Sequence, residues 1–327
     1  MLNAKITGIA SYVPDYVLDN DELSQMVDTS DEWITTRVGI KERRILKKNV
    51  GSSYMGIKAV NKLLEETGTN PDDVDLLICP TSNPDYRFPS TASVIAHACG
   101  LEKKCYAFDI QAACSGFIVG IYNASAYVKA GLYKKVIVVS AEKMSSMTNY
   151  EDRSTCPLFG DGAGAALIEP TEENLGIIDG VFHIDGDGLQ YLNYKAGGSA
   201  HPASHATVDA REHFLYQEGR AVYKNAVIDM LTSSQDVMKR NALTVDDIDW
   251  FVPHQANLRI IEAVGSRLGI DEDKVLVNIQ HRGNTSAATI PICLDENKHR
   301  LKKGDKIVLT AFGAGFTWGA VYLIWAI

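Results

Sequence analysis

FDIQAACSGFIVG (residues 108–120) runs an apolar segment straight into a cysteine and a small-residue elbow, and how it is read decides the fold. A buried strand ending near Ile110 and a helix beginning near Ser115 would place Cys114 at a helix N-terminus. There, unpaired backbone N–H groups and the helix dipole favour an anion and so a lowered thiol pKa. A packed cysteine is the ordinary reading of this element alone. The flanking sequence adds a plan. DDVDLLICP (72–80) and KCYAFDIQAA (104–113) read as buried strands, SGFIVGIYNASAYVKAGL (115–132) as a helix, and KKVIVVSAE (134–142) as a strand again.

The same order returns later in the chain. DDIDWFVP (246–253) and KVLVNI (274–279) read as strands, SAATIPICLDENKHRL (286–301) as helix-length, and GDKIVLTAF (304–312) as a strand. Asp75 to Cys114 is 39 residues and Asp249 to Asn284 is 35, so one elbow matches the other in a duplicated α/β unit. Helix-length links between strands imply parallel crossovers and sheets covered on both faces. Each half closes on a glycine-rich strand approach, FGDGAGAALIE (159–169) and FGAGFTWGAVYLIWAI (312–327). The halves are expected to divide at 1–172 and 173–327. YKAGGSAHPASHATVDAREH (194–213), which interrupts the two periodic regions, reads as a polar loop.

The totals suit an ordinary globular chain: 327 residues, 46% hydrophobic and 22% charged. A formal net charge of -9 disfavours nucleic acid and anionic membrane. The six cysteines lie far apart with no zinc-like spacing, which points to a reducing compartment and to no metal. The N-terminal stretch lacks a basic region before a long apolar run, and no segment reaches the ~20 apolar residues of a membrane span, so a cytoplasmic protein is expected. His254, in VPHQANLRI, follows a strand at the carboxyl end of a sheet, where open α/β folds bind ligands. Asn284, in HRGNTSAAT, follows the third strand of the second half and occupies the place of Cys114 in the first; alone it reads as a helix N-cap. Pseudo-twofold packing would bring both elbows and the His254 loop to one cavity.

QAACSGF, PHQANLRI, RGNTSAA and FGAGFTWG together, in this order and spacing, resemble the β-ketoacyl-acyl-carrier-protein synthase III family, the initiating condensing enzymes of type II fatty-acid synthesis. The likeness spans essentially the whole chain. It implies a thiolase-like fold, two βαβαβαββ halves in five α-β-α-β-α layers, as a homodimer. It also implies an acyltransferase that needs no cofactor, with acyl-CoA and malonyl-acyl-carrier protein as substrates. By the same resemblance Cys114 is the acyl-accepting nucleophile, the backbone N–H groups of Cys114 and Ala314 form an oxyanion hole, and His254 with Asn284 stabilises the enolate left by loss of CO2. Phe312 matches a phenylalanine that shields the cysteine. Trp33 and Arg153 would sandwich the adenine of CoA while Arg37 faces phosphate. Gly219, Tyr223 and Asn257 match the pantetheine tunnel, and Phe88 matches the residue that reaches into a partner subunit's acyl pocket. Arg259 and Lys224 match basic positions that dock the acidic carrier protein. Asn83 and Arg87 depart from the family's pattern around Phe88, and primer length and branching are not assigned.

Three other readings compete. Papain-like hydrolases carry Cys, His and Asn in this order, but the chain lacks their C-G-S-C-W-like segment and its duplicated plan differs. Thiolase-fold acyltransferases of secondary metabolism share the architecture, although a complete His254/Asn284 pair favours condensation. A non-catalytic acyl-binding module would be expected to have lost one of the three residues.

Overall fold

The second repeat reproduces the first except at one strand, and that exception positions the site. The computed structural model describes residues 2–101 and 104–327. Numbering only the elements of the repeated plan, the first half runs β1 (Asn3–Tyr12), α1 (Ser52–Thr67), β2 (Leu76–Pro80), α2 (Thr91–Ala98), β3 (Tyr106–Ile110), α3 (Gly116–Lys129), β4 (Val136–Lys143) and β5 (Asp161–Thr171). The second runs β6 (Gly176–Ile184), α4 (Gly219–Arg240), β7 (Trp250–Pro253), α5 (Leu258–Leu268), α6 (Thr289–Asn297), β8 (Lys306–Gly313) and β9 (Thr317–Ile324). The sheet orders are β1-β5-β4-β2-β3 and β7-β8-β9-β6. Strands joined through a helix pair in parallel, Ile78 opposite Phe108 and Val252 opposite Leu309. Strand β4 also runs parallel to β2, Leu76 opposite Val136, and the other pairs are antiparallel, so both sheets are mixed.

KVLVNI was expected to be the missing strand of the second sheet, and it is not one. Only Val275 bridges to Phe251, and the Leu276 N–H donates to the Phe251 carbonyl at 2.9 Å. The buried Gln255 side chain supplies what a ladder would have supplied. Its Nε2 donates to the carbonyls of Pro253 and Leu276, and its Oε1 accepts from the Asn278 N–H. Freed from the sheet, the chain turns through Ile279–Arg282 into the segment carrying Asn284, which therefore follows a short helix and not a strand.

Three apolar clusters define five layers. Ile6, Leu76 and Val138 of the first sheet and Val252, Leu309 and Val321 of the second pack on opposite sides of α3 and α6. The outer face of the first sheet is covered by α1 and α2, that of the second by α4 and α5. Helix α3 can fill the central layer because Phe117, Ile118, Ile121, Ala124 and Val128 recur at helical spacing and are fully buried. Each such side chain contributes roughly 1.5–3 kcal/mol by leaving water. Strand β4 is buried along all eight residues, Glu142 and Lys143 included.

The 194–213 stretch is more ordered than its composition suggests. Leu192–Tyr194 pairs with Leu215–Gln217, and a short helix, His205–Asp209, begins at a Ser204/Thr207 capping box. Glu212 closes the arch by accepting from Lys195 and contacting His201 at 2.5 Å.

Candidate active site

Cys114 sits in a single 3-10 turn, Ala113–Ser115, that feeds α3. Ala113 is held at φ +45, in the left-handed region that disfavours a side chain by roughly 1–2 kcal/mol, so the elbow is strained where the cysteine emerges. Two close approaches fix it. A Cβ on Gly116 would lie 2.8 Å from Pro80 Cβ, and one on Gly313 would lie 2.6 Å from the Cys114 nitrogen. Glycine at 313 thus lets the end of β8, with Ala314 next to it, lie against the Cys114 backbone. The expected acidic thiol is corrected: burial pushes Cys114 up from 9.0 to about 12, although the Ser286 hydroxyl at 3.7 Å and the backbone at Cys114 pull it down. Desolvation at the cavity floor therefore outweighs the pull of the helix terminus.

His254 follows β7 as expected and is buried; its backbone N–H donates to the Thr310 carbonyl at 2.8 Å. Nδ1 lies 2.7 Å from Thr289 Oγ1 at the start of α6. Burial drives its pKa down to about 3, so the ring is neutral at physiological pH. Asn284 is pinned by the loop before β5: its N–H donates to the Leu158 carbonyl at 2.8 Å, and its own carbonyl accepts from the Gly160 N–H at 3.1 Å. The side-chain Oδ1 accepts from the Ser286 N–H at 2.8 Å. The capping role expected of an isolated asparagine is therefore filled by the oxygen, which leaves Nδ2 as the free donor.

All three side chains line one cavity of about 1590 Å³, together with Phe312, Ala314 and Ser286. Phe312 is buried and packs on Phe316 with ring centroids 4.7 Å apart and the rings tilted by 48°. Trp33, Arg37, Gly219, Tyr223, Asn257 and Arg259 line the same cavity. Exposure grades along it: His254, Asn284 and Phe312 form the buried floor, and the exposed Arg37, Arg220 and Arg259 form a basic rim. Asn257 caps α5 by accepting from the Arg259 N–H, and the Arg259 guanidinium lies 5.8 Å from the Tyr223 ring.

Three expected residues stand outside the lining. Arg153 lies 5.0 Å from the Trp33 ring centroid and 3.2 Å from Asp28, so its guanidinium already takes a contact that an adenine would use. Lys224 is exposed on α4. Phe88 is 86% exposed.

Sequence reading missed Arg220, Thr289, Ser286 and Glu142. Ser286 is two residues past Asn284, and a hydroxyl in the family-like RGNTSAA run was the available signal. Glu142, ending an apolar strand, gave none: such a carboxylate reads as the solvent end, yet it is fully buried. Among the described residues no group of three or more His, Cys, Asp or Glu side chains could hold a metal ion, and no helix is long and apolar enough to cross a membrane.

Comparison with known proteins agrees with this geometry. Residues 108–186 match the family model described as 3-oxoacyl-[acyl-carrier-protein] synthase III, and residues 238–325 match its C-terminal model. A β-ketoacyl-[acyl-carrier-protein] synthase III of Bacteroides thetaiotaomicron is 57% identical over 99% of this chain and 97% of its own length. That of Chlorobaculum tepidum is 48% identical over 99% of this chain and 100% of its own. The crystal structure of 3-oxoacyl-[acyl-carrier-protein] synthase III from Aquifex aeolicus superposes with a TM-score of 0.90 at 42% identity, covering 98% of this chain and 100% of that one. With thiolase-fold architecture, a cysteine elbow facing a His/Asn pair, and relatives of this identity along nearly its full length, the chain belongs to the β-ketoacyl-acyl-carrier-protein synthase III family.

Proposed function

We propose that this chain catalyses decarboxylative condensation of an acyl-CoA primer with malonyl-acyl-carrier protein through an acyl-Cys114 intermediate, the step that initiates fatty-acid synthesis. The observation that carries this reading is the convergence of Cys114, His254 and Asn284, from two repeats, on the floor of one cavity with a basic rim. In the first half-reaction Cys114 attacks the thioester carbonyl, and the oxyanion is met by the backbone N–H groups of Cys114 and Ala314. CoA leaves and the acyl group stays on sulfur. In the second, the electrons of the breaking C–CO2 bond move into the malonyl thioester, and the developing enolate oxygen accepts from His254 Nε2–H and Asn284 Nδ2–H. Thr289 Oγ1 has one proton to share between His254 Nδ1 at 2.7 Å and the Ser286 carbonyl at 3.1 Å, and the role assigned to His254 requires it on Nδ1, which leaves the neutral ring's own proton on Nε2. The carbanion then attacks acyl-Cys114 and releases β-ketoacyl-carrier protein.

Trp33 and Arg37 hold the CoA end, with Arg153 swinging off the Trp33 face to admit the adenine. Gly219, Tyr223 and Asn257 flank the pantetheine. The positive rim of Arg37, Arg220 and Arg259, with Lys224 nearby in sequence to Arg220, offers an acidic carrier protein a docking surface despite the net charge of -9. The chain works without cofactor or metal, in the cytoplasm, as a homodimer in which the exposed Phe88 reaches the partner subunit. Its halves divide near residue 172, a division supported by sheets built from 3–171 and 176–324. The test is a panel of acetyl-, propionyl-, isobutyryl- and longer acyl-CoAs with malonyl-carrier protein. β-Ketoacyl-carrier protein is the expected product, and release of free acid without condensation would overturn the reading.

A further inference from the structure

The mechanism above leaves one proton without a destination. Cys114 must lose its thiol proton to attack, yet burial holds that thiol at about 12, and His254, held at about 3, is too weak a base to take it. The structure places another acceptor behind the sulfur. Cys114 Sγ lies 3.7 Å from Ser286 Oγ, and Ser286 Oγ donates to Glu142 Oε1 at 3.0 Å. Glu142 is fully buried on β4. Its other contacts are neutral donors: the Ser82 N–H to both oxygens at 3.1 Å, the Thr81 hydroxyl to Oε2 at 3.3 Å, and the Ala287 N–H. The neighbouring titratable thiol of Cys79 on β2 is itself held neutral by burial, and Lys143, next in the chain, turns its ammonium to the carbonyls of Lys47 and Val50.

We propose that Ser286 and Glu142 form a proton relay that deprotonates Cys114 as it is acylated. The Cys114 S–H gives its proton to Ser286 Oγ while the Ser286 proton passes to Glu142. The sulfur forms its bond to the acyl carbon, and the C–S bond to CoA breaks. The proton returns through Ser286 to the departing CoA sulfur, so neither charge nor proton is left behind. The carboxyl accommodates both states. Ionised, it is surrounded by donors; protonated on Oε1, it donates back to Ser286 Oγ, while the Thr81 proton can turn to the Ala141 carbonyl at 2.9 Å. Burial without a cation raises Glu142 from 4.5 to about 7, which suits a group that accepts and returns a proton near neutrality. Ser286 is held at φ +53, a strained conformation for serine that the relay explains.

The relay rests on the condensing-enzyme reading only for its substrate, and the test separates the two. Cys114 alkylation by iodoacetamide, measured by peptide mass, and Cys114 acylation by acetyl-CoA are followed from pH 5 to pH 9 in wild type, Ser286→Gly and Glu142→Gln. Glycine suits the backbone at 286, so Ser286→Gly should fold even if Glu142→Gln, which sets an amide among donors, does not. Wild-type rates should rise with pH through about 7, and the variants should lose that inflection and slow by about 100-fold, within the usual range of general-base assistance. Variants that react within about threefold of wild type with the same inflection would overturn the relay and leave the condensing reading intact. Relay-dependent alkylation with no acylation by any acyl-CoA would uphold the relay and remove the condensing reading.

Discussion

Gly160→Ala should separate the two half-reactions. A Cβ at 160 would lie 2.3 Å from the Arg282 carbonyl oxygen and 3.2 Å from Arg43 Cβ, against an ordinary contact of 3.4 Å or more. The obstacle is backbone, not a mobile side-chain tip, so the segment carrying Asn284 must retreat by about 1 Å. Retreat strains both hydrogen bonds that pin Asn284, the Leu158 carbonyl to its N–H and the Gly160 N–H to its carbonyl. Two such bonds contribute roughly 1 kcal/mol each, and overpacking adds about 1–3 kcal/mol, a destabilisation of about 3–5 kcal/mol. A donor misplaced by about 1 Å slows the chemistry it serves by about 100-fold. Cys114 belongs to a different segment, so acylation should fall less than decarboxylation, and only to the extent that Ser286, two residues past Asn284, moves with it. Thermal unfolding, acyl-enzyme formation by intact mass and CO2 release from malonyl-carrier protein measure the three effects. A folded Gly160→Ala enzyme that decarboxylates at the wild-type rate would refute the placement of Asn284 by this crossing.

Thr289→Val removes the partner of His254 Nδ1; acylation should persist while decarboxylation falls at least tenfold, and Thr289→Ser should restore it, as a purely steric role would not. Arg153→Ala should leave kcat near wild type, and a lowered KM for acyl-CoA would show that Arg153 competes for the Trp33 face; a raised KM would show that it binds the adenine. Among the buried groups that make stability depend on pH, Glu142 and His254 act in opposite directions. Glu142, raised from 4.5 to about 7, keeps a proton that the unfolded chain has lost, so its contribution falls as pH rises across that window. His254, lowered from 6.5 to about 3, stays neutral where the unfolded chain is protonated, so its contribution grows as pH rises from about 3 to 6.5. A Glu142→Gln protein should lose the first slope and keep the second, measured by denaturant unfolding at pH 4.5, 5.5 and 7; an unchanged slope would reject the buried, protonated carboxyl.

The duplicated plan was legible because its strands and helices are buried on fixed periods. Phe117, Ile121 and Val128 announce α3, and the apolar run 136–139 of β4 announces a strand covered on both sides. KVLVNI failed for a physical reason: its letters describe a buried extended segment, which it is, but pairing depends on its neighbour, and Gln255 supplies that pairing with a side chain. The arch at 194–213 was read as loop because its order comes from ion pairs and a capping box, which composition hides. At the site, residue types and order revealed Cys114, His254 and Asn284. The direction of the thiol pKa was missed because a helix N-terminus is visible in sequence, whereas desolvation at the floor of a cavity is a property of the packed fold. Glu142 escaped for the same cause.

The central claim is a division of labour inside one chamber, sulfur to carry the primer and two neutral donors to drive loss of CO2. Its most direct test gives Asn284→Ala and His254→Ala acetyl-CoA together with carboxyl-labelled malonyl-carrier protein, reading acyl mass on Cys114 and labelled CO2 from the same sample. The account expects both variants to accumulate acetyl-Cys114 and to release label at least 100-fold more slowly than wild type. Wild-type label release from either variant, or acetylation of a cysteine other than Cys114, would contradict it.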